Sequence, residues 1–133
     1  MRILHVSDLH FGRPSIPEQV AALEVFIARE SLDAIVISGD LSQRTRRSEL
    51  ERASAFVRRC ESRAPTLVIP GNHDCRWWTA LLGVGDYYGM FDRYREYIRS
   101  DLEPQVRIPG ATIVGLNSCH GIQPYTLTTR PRD

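Results

Sequence analysis

Lysine is absent from this 133-residue chain, and all 17 basic residues are arginine. Such a bias fits a GC-rich coding background, although the guanidinium fork also suits bidentate contact with phosphate. No single sign of charge dominates. Seventeen basic residues against 16 acidic ones leave a net +1, so no bulk field argues for nucleic acid or an anionic membrane. Cysteine is sparse: Cys60, Cys75 and Cys119 are odd in number and unpaired in spacing, which argues against a disulfide framework. A reducing, cytoplasmic compartment is the expectation. No apolar run approaches a signal h-region or a membrane span, and Met1-Arg2 leads directly into the strand-like Ile3-Leu4-His5-Val6. What is left is one domain by size, with enough apolar content (42%) to build a single core.

Strands and helices alternate through the first half. Arg2 to Ser7 reads as a strand, and Gly12, Pro14 and Pro17 mark a loop after it. Pro17 opens a helix to about residue 30, with Val20, Leu23, Phe26 and Ile27 on its inward face. Ala34 to Ser38 is a continuous apolar run, the mark of a strand covered on both sides. Ser48, with Glu51 three residues on, suggests a capping box for a helix to about Arg63. Leu50, Ala53, Phe56 and Val57 face inward there, and Arg52, Arg58, Arg59 and Arg63 face out. Pro65 to Pro70 is a third strand. A loop around Gly83 and Gly85 precedes an aromatic helix from Tyr87 to Ser100, and Gln105–Ile108 with Ala111–Leu116 forms a hairpin about Pro109-Gly110. Residues 119–133 read as an irregular tail. This alternation implies parallel pairing in an α/β layered sandwich, a mixed β-sheet flanked by helices.

Three polar segments stand where these strands end: Asp8-Leu9-His10, Gly39-Asp40 and Gly71-Asn72-His73-Asp74. Ligands collect at the carboxyl ends of parallel strands, so the three segments converge. Asp8 and His10, one residue apart, suit chelation of Mn, Fe or Zn, though alone the pair also reads as a solvated loop. Asp40 suits a carboxylate shared by two cations, or by itself a helix N-cap. The Asn72 amide oxygen suits a second cation without adding charge. His73 suits proton transfer or a hydrogen bond to phosphate, with Asp74 orienting the imidazole.

The ordered series Asp8-x-His10, Gly39-Asp40 and Gly71-Asn72-His73-Asp74 resembles the calcineurin-like metallophosphoesterase superfamily. The stretch from Ile3 to Gly12 looks most like its bacterial phosphodiesterase branch, and Gly115-Leu116-Asn117-Ser118 resembles a later strand end of those proteins. The resemblance implies the metallophosphoesterase fold, phosphoester hydrolysis and two divalent metal ions (Mn, Fe or Zn, with Mn expected in vitro). Asp8 and His10 would bind the first ion, Asp40 would bridge, and Asn72 would bind the second. His73 would stand beside the scissile phosphate with Asp74 behind it, and a metal-bridging hydroxide would attack phosphorus in line. Family members usually continue with Gly-His and Gly-His-x-His segments that this sequence lacks, so the chain reads as an N-terminal half with the C-terminal portion missing. That leaves three expectations: a phosphodiesterase, a non-catalytic metal-binding or interaction module, or a site completed by a homo-oligomer or a complementing C-terminal half.

Other residues carry weaker signals. His120 lies near a strand end, but one histidine does not replace three. His5 is expected as a buried, hydrogen-bonded histidine of the first strand, and the Cys75 thiol as incidental. Arg44, Arg46 and Arg47 read either as a solvated helix start or as a phosphate-contacting cluster. Trp77 and Trp78 read as a cleft wall or as cover for the sheet.

Overall fold

The structure, a computed structural model, describes residues 1–12, 15–76 and 89–119. Trp77, Trp78, the Gly83–Gly85 loop, His120 and nearly all of the expected tail lie outside these residues. Three parallel strands, β1 (Ile3–Val6), β2 (Ala34–Ser38) and β3 (Thr66–Ile69), form a sheet in the order β1-β2-β3. Helix α1 (Pro17–Arg29) crosses from β1 to β2, and α2 (Arg47–Glu61) from β2 to β3. The register is regular, His5 opposite Val36 and Ile37 opposite Val68, so all three strands end level. A single-turn 3-10 helix (Asn72–Asp74) follows β3, and a second (Gly89–Phe91) leads into α3 (Asp92–Tyr97). Strands β4 (Gln105–Ile108) and β5 (Ala111–Val114) pair antiparallel about Gly110, whose φ of +84° a two-residue turn of this kind requires. Expected parallel pairing and expected hairpin are both present.

The core lies between the sheet and α2. Ile35, Ile37 and Val68 meet Leu41, Ala53, Phe56, Val57 and Cys60 there, with Tyr94 from α3. Helix α2 works as its sequence pattern predicts. Its cap differs from the expected Ser48–Glu51 box: the helix starts at Arg47, and Glu49 is the acidic residue that turns back. The Glu49 carboxylate accepts the backbone N–H groups of Arg44 (2.8 Å) and Arg46 (3.2 Å), ending a tight loop rather than a free helix.

Three further expectations are corrected. Phe26 is 43% exposed, because α1 rests on the sheet through Val20, Leu23 and Ile27 alone. His5 is exposed, not buried, on the face of β1 that it shares with the exposed Ile3; its Nε2 sits 2.6 Å from the Ser38 hydroxyl. The third helix spans only Asp92–Tyr97, the turn before it being 3-10. Gly115 carries the chain from β5 back against β3, where a Cβ would come 2.5 Å from Ile69 Cγ2. This close contact brings the following loop to the strand ends.

Candidate metal centre

Backbone conformation marks the site before any side chain does. Among the described residues four non-glycine positions adopt positive φ, and three of them are Asp8 (57°), His10 (42°) and Asp40 (52°). Each such residue costs about 1–3 kcal/mol and persists only where its surroundings impose it, most often at functional sites. Here the surroundings are backbone hydrogen bonds that continue the β1–β2 pairing past the strands. The N–H groups of Asp8, His10 and Phe11 donate to the carbonyls of Gly39, Asp40 and Leu41 at 3.2, 2.9 and 2.7 Å. The left-handed turns swing the side chains off the sheet edge toward one another.

Asp8, His10 and Asp40 offer ligand atoms that all lie within 4.8 Å of one another. The His10 Nδ1 is buried and has no hydrogen-bond partner among the described residues, while Nε2 stands 3.7 Å from Asp8 Oδ1. Two carboxylates and an imidazole with a buried, unpartnered nitrogen fit a borderline divalent cation. Asn72 lines the same cleft of about 340 Å³ as Asp8 and Asp40. Its other walls include Gly39, Gly71, Ser118 and Cys119.

The Asp40 and Asn72 loops interlock. A Cβ on Gly71 would stand 2.1 Å from Asp40 Oδ1, and one on Gly39 would stand 2.9 Å from the Gly71 Cα. Only glycine permits that approach. The backbone N–H of His73 donates to Asp40 Oδ1 at 2.9 Å, aiming the carboxylate across the strand ends.

His73 packs edge-on to His10, the ring centroids 4.9 Å apart. Its Nδ1 lies 2.9 Å from the backbone carbonyl of Gln43, an acceptor only, so Nδ1 carries the proton and Nε2 is the nitrogen left for substrate. Asp74, expected behind this imidazole, serves elsewhere. Fully buried, it accepts the N–H groups of Leu41 (3.0 Å), Ser42 (2.7 Å) and Gly71 (3.0 Å) and the Ser42 hydroxyl (2.9 Å). Burial raises its pKa, and those donors pull it back down in part. Asp74 is thus the tie between the two loops, and the Gln43 carbonyl takes the role of orienting His73. The sequence offered no direct signal for Gln43, since the acceptor is main chain.

The sequence model of the calcineurin-like phosphoesterase family matches residues 1–129. The chain belongs to that family. It is similar to a component of the nuclease SbcCD of Staphylococcus saprophyticus, 31% identical over 114 residues. That match takes in 77% of this chain and 29% of the relative, so the chain spans less than a third of that relative's length. Among solved structures, it is similar to the Pseudomonas putida nuclease MPE, at 24% identity and a TM-score of 0.43, over 55% of this chain and 40% of that one. The mixed α/β architecture described above agrees with the family, as does the Asp8–His10–Asp40 cluster with a metal-binding member of it. Among the described residues no helix is long and apolar enough to cross a membrane, and Cys60 is a buried free thiol.

Proposed function

We propose that this chain hydrolyses phosphodiesters at a dinuclear centre. Asp8 and His10 hold one divalent cation, Asp40 is shared, and Asn72 holds the second, Mn being the ion to use in vitro. Cations there would supply the charge that activates water and neutralises phosphoryl oxygens. The observation that carries the reading is the convergence of Asp8, His10 and Asp40 within 4.8 Å, on backbone strained at all three positions. His73 faces the phosphoryl group through Nε2; with Nδ1–H held by the Gln43 carbonyl, it is the imidazolium form, protonated on both nitrogens, that donates from Nε2 to a non-bridging oxygen or passes a proton to the leaving group. Asp74 acts indirectly, by keeping Asp40 and Asn72 at a fixed separation. The Staphylococcus relative is named as part of a nuclease, so nucleic acid is the first phosphodiester to test. The sparse cysteines, unpaired in spacing, suit a reducing cytoplasm.

A second reading is favoured by the short span of the chain against its relative. In it the chain is a metal-binding or interaction module that gains full activity only from a further polypeptide segment or a second copy. Hydrolysis of bis-p-nitrophenyl phosphate with Mn separates the two. Turnover by the wild-type chain that falls at least a hundredfold in both Asp40→Asn and His73→Ala supports the first reading. Silence from all three proteins, each shown folded by circular dichroism, overturns it in favour of the second.

A further inference from the structure

Several arginines already have partners among the described residues. Arg47 pairs with Glu51 at 2.8 Å, Arg59 with Glu24 and Arg99 with Glu61, while Arg93 donates to the Thr45 carbonyl at 2.8 Å. Arg44 and Arg46 differ. Both are exposed, and neither forms an ion pair with a described residue, although both stand on the loop that runs from Asp40 to α2.

That loop is held rigid from every side. Glu49, itself 4% exposed, takes the N–H groups of both arginines. Thr45 adopts φ 50° and donates its N–H to the Ser42 hydroxyl at 3.2 Å. Gly12 leaves no room on the opposite side: a Cβ there would meet Gln43 Cβ at 2.7 Å and Glu49 Oε1 at 2.9 Å. Gln43, directly before Arg44, is the residue whose carbonyl holds His73. Two unneutralised guanidinium groups therefore stand on fixed backbone, one of them a single residue from the group that orients the histidine beside the metal ligands. A flexible, solvated charge run would not need a buried carboxylate spent on its main chain.

We propose that Arg44 and Arg46 form a subsite for a phosphate adjacent to the one being cleaved, so that the substrate is a strand with successive phosphates. A single-stranded oligonucleotide has that chemistry, and a lone small diester does not. The proposal rests on the phosphodiesterase reading of the neighbouring site. Fixed backbone lowers the ordering cost of the contact, and the guanidinium fork matches phosphate bidentately. Each phosphate contact to a single strand contributes about 0.7 to the slope of log affinity against log salt.

The test needs no turnover. Fluorescence anisotropy of a labelled 12-nucleotide single strand, in EDTA and from about 20 to 200 mM NaCl, reads binding without the metal. The wild-type chain is expected to bind with a salt-dependent affinity. Arg44→Ala/Arg46→Ala should weaken it about tenfold at the lowest salt and lower the slope by about 1.4, two contacts' worth. Arg47→Ala, which removes an already neutralised charge, should bind as wild type. Equal affinity and slope in the double variant overturn the subsite, as does a wild-type chain that binds no strand at all. A wild-type chain that binds the strand through these arginines but, with Mn added, cleaves neither it nor bis-p-nitrophenyl phosphate would sink the catalytic reading and overturn the subsite as one that serves cleavage.

Discussion

Strands β2 and β3 bury most of their residues, whereas β1 buries none and leaves Ile3 and His5 exposed. The flanking helices repeat the contrast: α2 buries seven residues and α1 only Ile27. The candidate metal site straddles this divide. Asp40, Asn72 and His73 stand on the deep half, locked by a buried carboxylate. Asp8 and His10 stand on the shallow half, held by three backbone hydrogen bonds, and the Asp8 side chain is 65% exposed. Fixed geometry on one side and access on the other are what a centre admitting ions and substrate from solvent needs. The ligand positions therefore depend unequally on the fold, and mutations should separate the two halves.

The largest effect should come from Asp74→Ala. It leaves the buried N–H groups of Leu41 and Ser42 without an acceptor, each worth about 1–3 kcal/mol, and strips the half-buried Gly71 N–H of its partner, while the Ser42 hydroxyl keeps the His73 carbonyl. A loss of at least about 3 kcal/mol in urea denaturation is expected, and Asp74→Asn should recover only part, because its amide nitrogen opposes other donors. Were Asp74 chiefly the partner of His73, stability would hold and only turnover would fall, and the contrast between the halves would break.

Gly71→Ala comes next. Its Cβ would overlap Asp40 Oδ1 at 2.1 Å and the Asp40 amide nitrogen at 2.3 Å. The Asp40 loop must yield, withdrawing its carboxylate from the position set by the His73 N–H. Mn affinity by titration calorimetry should fall roughly 10–100-fold, the usual consequence of disturbing a ligand's support. Unchanged affinity would mean that the Asp8–His10 half binds the ion unaided.

The strand ends were legible in the sequence because each apolar β-branched run stops at a glycine or an acid, and parallel pairing aligns such stops. Hence order alone brought the three segments to one end of the sheet, where Asp8, Asp40 and Asn72 line one cleft. The partners of the ligands were not legible. Gly71-Asn72-His73-Asp74 reads the same whether the aspartate faces the imidazole or turns inward, and here the single 3-10 turn points it into the core. Gln43 acts through its carbonyl, an atom every residue possesses. His5 and Phe26 misled for a shared reason: apolar periodicity assigns a face to an element but not the depth of cover, and both lie on the shallow half.

Cys60 provides the gentlest probe of the deep half. Lying 1% exposed on the inner face of α2, it has its thiol pKa pushed up by burial from about 9 to about 11, against a smaller opposing pull from Arg59. A thiol harder to ionise in the folded chain than in the unfolded one contributes stability fully below pH 9, and that contribution disappears as pH rises through 11. Tyr94, fully buried and also raised well above its ordinary 10, acts in the same direction. Stability should therefore fall between pH 9 and pH 11, and fall less steeply in Cys60→Ala, whose residual slope belongs to Tyr94. Urea midpoints across that window supply the measurement. Identical pH slopes in the two proteins would mean that α2 admits water to its inner face, and the deep half would be no deeper than the edge that carries Asp8.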